Sequence, residues 1–296
     1  MIRSVANVLP DSPQMNSERT DQSLLWSAAI AGKTLCRPQL CTVSWPRLKV
    51  AAQTQRFHFF EPTLLLVLDG RLEFMDGEDA PVLTPYSQLA LVDQHVEADF
   101  SKNPPGETAP FRSLFLTFHP ALIEKFNQTF SPSAGSANAG AKTAFMPAHS
   151  ALLRALVEVT DSLAQPALSD ERVTLRIFDL LMVLKEHGVQ FCPPQSPLLS
   201  RRLMTLLNTS PEIGWTASQA GSALAMSEST LRRKLKLEGV SFEHILLETR
   251  MHHALMLVQT TPWNMVQIAD ACGYKSVARF SERFKQRFGT TPARFR

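Results

Sequence analysis

Between residues 41 and 118, apolar and polar positions alternate in short runs broken by Pro, Gly and Asp. The runs are CTVSW (41–45), TLLLVLDG (63–70), RLEFMDG (71–77), SQLALVD (87–93) and FRSLFLTF (111–118). Short β-branched and aromatic runs bounded by turn formers predict strands. Asp69-Gly70 predicts a tight hairpin, because Asp-Gly supplies the positive φ such a turn needs. Strands spaced this way favour a small barrel or sandwich over a parallel sheet. From residue 120 the apolar period becomes helical. Helices are expected over 120–130, over 149–164 (Leu152, Leu153, Leu156, Val157, Leu163) and over 170–187 (Val173, Ile177, Leu180, Leu181, Leu184). The last two carry wide apolar faces. Such faces pack on the barrel or against a second copy, and the frequency of symmetric dimers favours the copy.

Three stretches lack periodicity. Residues 1–22 read as a loose polar tail, and SPSAGSANAGAK (131–142) as a mobile Ser/Ala/Gly loop. In CPPQSP (192–197) three prolines forbid continuous helix and predict a stiff spacer between domains. Leu198 to Asn208 then opens an all-helical C-terminal part.

That part holds two helix-turn-helix patterns in tandem, TASQAGSALAMSESTLRRKLKLEG (216–239) and NMVQIADACGYKSVARFSERFKQRFG (264–289). Thr216 with Gln219 and Asn264 with Gln267 have capping-box spacing. Ala220-Gly221 and Ala269 are small enough for two helices to cross closely, and Gly273 relieves the second turn. Ser227 and Ser276 are placed to cap the second helix of each unit. Aligning Leu231 with Phe280 gives an offset of 49 residues and pairs Leu235 with Phe284 as buried anchors. Phe288 and, in the linking helix, Met251, Met256 and Leu257 also read as packing residues. Ser229, Arg232, Arg233 and Lys236 form an outward stripe on the first unit. The second presents Val277, Ala278, Arg279, Ser281 and Glu282, followed by Arg283 and Lys285. This arrangement suits insertion of a helix into the major groove, where Arg reads guanine and Lys more often meets phosphate.

Charge sharpens the picture. Residues 196–296 hold 14 Lys/Arg against 7 Asp/Glu, whereas residues 1–195 hold 16 against 20. Only the C-terminal third is built to meet phosphate. Lys275, Lys285, Arg287, Arg294 and Arg296 are phosphate candidates. If six to eight phosphates are neutralised, log K falls with log salt at a slope of roughly −5 to −7. The four cysteines (Cys36, Cys41, Cys192, Cys272) form no CxxC or zinc-type cluster, and Cys36 and Cys41 read as buried apolar residues. The expected His-x-His ligand pair of a metal-binding barrel is absent around His58, His95 and His119, and no metal or cofactor is expected. No apolar run is long enough to span a bilayer. A reduced, cytoplasmic protein follows from these features.

The C-terminal hundred residues resemble the AraC/XylS family of bacterial transcription regulators. The resemblance is carried by MSESTLRRKLKLEGVSF (226–242), Arg250-Met251, Ala254-Leu255 and IADACGYKS…FSERFKQRFGTTPARFR (268–296). It implies an α+β chain: a flexible tail (1–22), a cupin-like sensory barrel with dimerisation helices (23–195), and a DNA-binding domain with two helix-turn-helix units (196–296). The family commonly places an Arg two positions after the first buried anchor. Arg233 fills that place in the first unit, whereas Glu282 departs from it in the second. Arg232 is open to a base or a phosphate. Implied partners are promoter DNA, RNA polymerase, a second copy and an effector, in a sequence-specific regulator that is more often an activator than a repressor. Arg56, His58, Arg71 and Arg112 lie among Phe and Leu, and an apolar pocket with one or two cations suits an amphipathic carboxylate such as a fatty acid. Two alternatives stand beside this reading: an activator restrained by a protein partner, and a cupin-type enzyme with an appended DNA-binding domain.

Overall fold

A computed structural model describes residues 34–75, 81–130, 142–192 and 198–295. The expected tail, all of the Ser/Ala/Gly loop but Lys142, all of the proline spacer but Cys192, and Arg296 lie outside the described residues.

The N-terminal part is sheet-rich and every strand pairing is antiparallel. One sheet runs in the order β1 (Leu35–Arg37), β2 (Cys41–Ser44), β10 (Phe111–Phe118), β5 (Thr63–Asp69), β8 (Gln88–Val92), β11 (Thr143–Pro147), with β3 (Arg47–Leu48) also on β10. The second runs β4 (Ala52–Phe59), β9 (Val96–Asn103), β6 (Arg71–Phe74), β7 (Val82–Leu83). Rings join the two across their inner faces: Phe115 of β10 lies 6.3 Å from Phe59 and 6.4 Å from Phe57 of β4. In β5, Leu65 and Val67 belong to this inner core. Leu64 and Leu66 point the opposite way and are fully buried too, so the strand is covered on both faces.

The hairpin expected at Asp69-Gly70 does not form. β5 and β6 pair with different partners in different sheets, and Gly70 carries the chain round the corner between them. The glycine is required nonetheless. Its φ is +81°, its N–H is accepted by Asp69 Oδ1 at 2.9 Å, and any Cβ there would run into the Asn103 carbonyl of β9. Cys36, expected to be buried, is exposed at the edge strand β1; Cys41 is buried, which pushes its thiol up to about 12.

The helical pattern follows the sequence closely. α1 (Pro120–Thr129) forms where expected; α2 (Ser150–Leu163) buries Leu152, Leu153, Leu156 and Leu163 of its stripe with Val157 half-buried, and α3 (Asp170–Glu186) buries all five of its own. Both stripes are covered within one chain, so they do not face a second copy as expected. Then come α4 (Leu199–Asn208), α5 (Ala217–Ala223), α6 (Glu228–Leu237), α7 (Phe242–Thr260), α8 (Met265–Ala271), α9 (Val277–Phe288) and a 3₁₀ turn (Pro292–Phe295).

Two distinct hydrophobic cores divide the helical part. Leu199, Leu203 and Leu207 of α4 pack with Ala217, Ala220, Leu231, Leu235 and, from the start of α7, Phe242 and Ile245. Met251, Ala254, Leu255 and Val258 from later in α7 pack with Ile268, Ala269, Phe280, Phe284 and Phe295, and this core continues into the inner faces of both sheets. The second unit is therefore seated on the sheets.

Polar contacts fix that seat. Arg287 of α9 pairs with Glu248 of α7 at 2.7 Å and donates to the carbonyls of Gln55 and Arg56 in β4, 3.0 Å each. His252 Nδ1–H donates to the Glu248 carbonyl (2.8 Å), which leaves Nε2 to accept the backbone N–H of His58 (2.9 Å). This pairing defines a neutral tautomer, and burial holds the imidazole down at about 4. Lys102 of β9 is buried beneath Phe100, Phe111 and Phe115, where its ammonium donates to Gln259 Oε1 of α7 at 2.9 Å. Desolvation lowers this amine to about 7.

Candidate nucleic-acid interface

Each helix-turn-helix unit is built by local chemistry legible in the residues. Thr216 Oγ1 accepts from the Gln219 N–H while Gln219 Oε1 accepts from the Thr216 N–H, and Asn264 with Gln267 does the same. Ser227 and Ser276 accept from the N–H three residues on and start α6 and α9. Leu231, Leu235, Phe280 and Phe284 are fully buried and set which face of each helix remains for a ligand.

The two units differ in their turns. Their first helices are related by 48 residues, Thr216 to Asn264, and their second helices by 49, Ser227 to Ser276. The second turn is thus one residue longer. Its left-handed position is Gly273 (φ +73°), whereas the first turn puts Ala225 there (φ +58°). Gly221 is needed for contact, since a Cβ would stand 2.9 Å from the Met226 carbonyl.

On α6, Ser229, Arg232, Arg233 and Lys236 are all exposed. Arg232 is tied sideways, to Glu228 at 2.9 Å and Glu243 at 2.8 Å. The Glu243 carboxyl is lowered by the same contact. The side chains of Arg233 and Lys236 make no ion pair or hydrogen bond with another described residue. Arg233 occupies the middle of the outward face, opposite Leu231 and Leu235. Leu237, one turn beyond Arg233, is 83% exposed at the end of the same face. Its apolar side chain reads as core in the sequence, which hides this position.

On α9, Ala278, Arg279, Glu282, Arg283 and Lys285 are exposed, while Val277 and Ser281 are half-buried on the flank. Val277 packs against the second core. Glu282 takes the central outward place that Arg233 has on α6. Gln286, also missed, is exposed one turn on and accepts from Arg283 Nη1 at 3.1 Å. Lys275, Lys285 and Arg294 are exposed. Arg287 is a correction: it is 14% exposed and spent on Glu248 and two carbonyls, so it is not available to a phosphate.

The four basic residues singled out for an effector do not converge. Arg56 is paired with Glu97 at a β4 bulge, Arg71 with Glu73 on β6, and Arg112 lies opposite Asp69 on β10. His58 lines a mainly apolar cavity of about 160 Å³ between sheet and helices, with Phe57, Phe59, Phe115, His252 and Met256. Its Nε2 lies 3.3 Å from His95 Nδ1. Burial, then His58, lower His95 to about 4. Among the described residues, no three His, Cys, Asp or Glu side chains are grouped so as to hold a metal ion. Nor is any described helix long and apolar enough to cross a membrane.

Comparison with known proteins agrees with this geometry. Residues 221–296 match the helix-turn-helix domain family. The transcriptional regulator GadX of Escherichia coli is 36% identical over 123 residues, which cover 40% of this chain and 44% of GadX. The urease operon transcriptional activator of Escherichia coli is 30% identical over 128 residues, covering 40% of this chain and 42% of that protein. Each match thus spans less than half of the relative's length. Among solved structures, an apo ToxT variant from Vibrio cholerae aligns over 86% of this chain and 95% of that one, with a TM-score of 0.62 at 15% identity. ToxT with an unsaturated fatty acid bound aligns over 87% and 95%, with a TM-score of 0.57 at 14% identity. At that identity the likeness is one of fold: a sheet-rich N-terminal part followed by a helical C-terminal part.

Proposed function

We propose, from a C-terminal third that belongs to the AraC/XylS family of helix-turn-helix regulators, that the chain is a sequence-specific transcription regulator, acting as an activator at promoter DNA in the cytoplasm. One observation carries the reading. Two helices in tandem units, α6 and α9, turn exposed cationic faces outward, with Arg233, Lys236, Arg279 and Lys285 free of ion pairs to other described residues. Arg233 reads a base, since its guanidinium is central and uncommitted. Arg232, held between two carboxylates, buttresses α6 against α7. On α9, Arg279 and Glu282 are the base-facing pair, and Glu accepts from cytosine N4. Lys236, Lys275, Lys285 and Arg294 meet phosphates. With Arg287 withdrawn, the salt slope expected for the chain is roughly −4 to −6.

The sheet-rich part serves as a cupin-like sensor, the outer faces of α2 and α3, where Leu175 is exposed, form a dimer interface, and RNA polymerase is the downstream partner. The apolar cavity at His58 and His252 supports an effector with a small apolar body; fatty acid binding by ToxT, which shares the fold, points the same way. Its relatives are regulators of transcription, and the chain is read as one of them rather than as an enzyme.

The test is Arg233→Ala on duplexes selected by the wild-type chain from a random pool. A loss of about 1–3 kcal/mol confined to one base-pair position is expected. A uniform loss on every sequence would move Arg233 to a phosphate, and failure of the chain to enrich any sequence would defeat the reading. Native mass spectrometry of the full chain reports dimer and retained ligand together.

A further inference from the structure

The two hydrophobic cores of the helical part share no residue. α7 begins in one and ends in the other, so the first and second helix-turn-helix units are joined by a single helix. A lone helix is a weak guarantee of orientation between two binding units. At the middle of α7, where one core gives way to the other, stands Arg250.

Its guanidinium reaches both units. Nε donates to the Pro211 carbonyl at 3.2 Å and Nη2 to the Ile213 carbonyl at 2.9 Å, both in the segment between α4 and α5 that leads into the first unit. The same group lies over the Tyr274 ring at 5.7 Å, in the turn between α8 and α9 of the second unit. Gly273 makes room for it: a Cβ there would stand 2.5 Å from Nη2 and 3.0 Å from the Glu212 carbonyl. The turn of one unit thus abuts the entry loop of the other, with Arg250 between them.

We infer that Arg250 is a positioning residue that sets the spacing and angle of α6 relative to α9, and so the separation of the two DNA segments the chain reads. This rests on the DNA-binding function proposed above. Rigid coupling matters because the second contact gains from the first only when geometry lets both engage together. A planar fork that donates to two carbonyls while stacking on a ring suits the task, and Lys cannot do the same. Gly273 is explained by the same contact as well as by its left-handed backbone.

The experiment uses the full chain and duplexes it selects from a random pool. These are then remade with one base pair added or removed between the two contacted segments, and with one segment scrambled. Wild type should discriminate against altered spacing by about tenfold or more. Arg250→Met should flatten that preference to about threefold or less while binding the one-segment duplex within about twofold of wild type. Gly273→Ala, which displaces the guanidinium, should do the same, and Arg250→Lys should not rescue it. Spin labels at Ser222→Cys on α5 and Asp270→Cys on α8, with Cys36 and Cys192 replaced by Ser, should give a narrow distance distribution that Arg250→Met broadens. An unchanged spacing preference and distance distribution would overturn the inference. So would an equal loss on two-segment and one-segment duplexes that tracks a fall in Tm, which marks a merely structural residue. Enrichment of no sequence by the wild type would instead remove the DNA-binding reading itself.

Discussion

Arg287 locks α9 and α7 to β4, and replacing it by Gln should cost stability rather than a phosphate contact. Arg287 and Glu248 are 14% and 13% exposed, and the guanidinium makes four bonds of 2.7–3.0 Å: two to the carboxylate, one each to the Gln55 and Arg56 carbonyls. Removing one partner of a buried pair costs roughly 3–5 kcal/mol, because the other charge stays behind desolvated. Residual exposure places Arg287→Gln near the lower end, about 3 kcal/mol, or a fall in Tm of roughly 6–12 °C. Glu248→Gln should cost a similar amount and the double variant less than the sum. Urea denaturation reads the stability, and a salt titration of binding reads the charge contacts. Arg287→Gln should leave the salt slope unchanged, whereas Lys285→Gln should reduce its magnitude by about 0.9 without loss of stability. The reverse outcome, a lost unit of slope at Arg287 with stability intact, would refute the placement of this side chain.

Three further outcomes follow from local geometry. His252 is held at about 4 in the folded chain against about 6.5 unfolded, so the unfolded state takes the proton first. Its contribution, about 3 kcal/mol, is whole above about pH 6.5 and lost as pH falls to about 4. Urea midpoints across that range should fall steeply in wild type and less in His252→Gln; His95, also held at about 4, retains part of the slope. Ala225→Gly should stabilise the chain by about 1 kcal/mol, since Ala225 adopts φ +58°; a thermal melt showing no gain would refute the strain. Gly221→Ala should destabilise by about 1–3 kcal/mol, because its Cβ meets the rigid Met226 carbonyl rather than a movable side chain.

What was legible in the chain and what was not divides along the range of the interaction concerned. Capping boxes at Thr216 and Asn264, caps at Ser227 and Ser276, and the anchors Leu231, Leu235, Phe280 and Phe284 depend on partners within a few residues, and all are found where the pattern predicts. The Asp69-Gly70 turn was readable as a positive-φ turn but not as a change of sheet. That choice depends on pairing with β10 and β9, which lie far along the chain. A constant offset of 49 hid the longer second turn, because buried anchors on α6 and α9 carry no information about the residues before them.

Arg287, Arg250 and His252 share one reason for being misread or unassigned. Each is a polar group on a helix of the C-terminal part whose partners sit in a distant segment: β4 for Arg287 and His252, the loop before α5 for Arg250. Helical periodicity says which way such a side chain points but not what meets it there. For Arg233 the direction given by periodicity stands, because its side chain makes no ion pair or hydrogen bond with another described residue. The candidate site is therefore most legible where side chains are left unpaired. It is least legible where the protein spends them on holding its two helix-turn-helix units in register with each other and with the sheets.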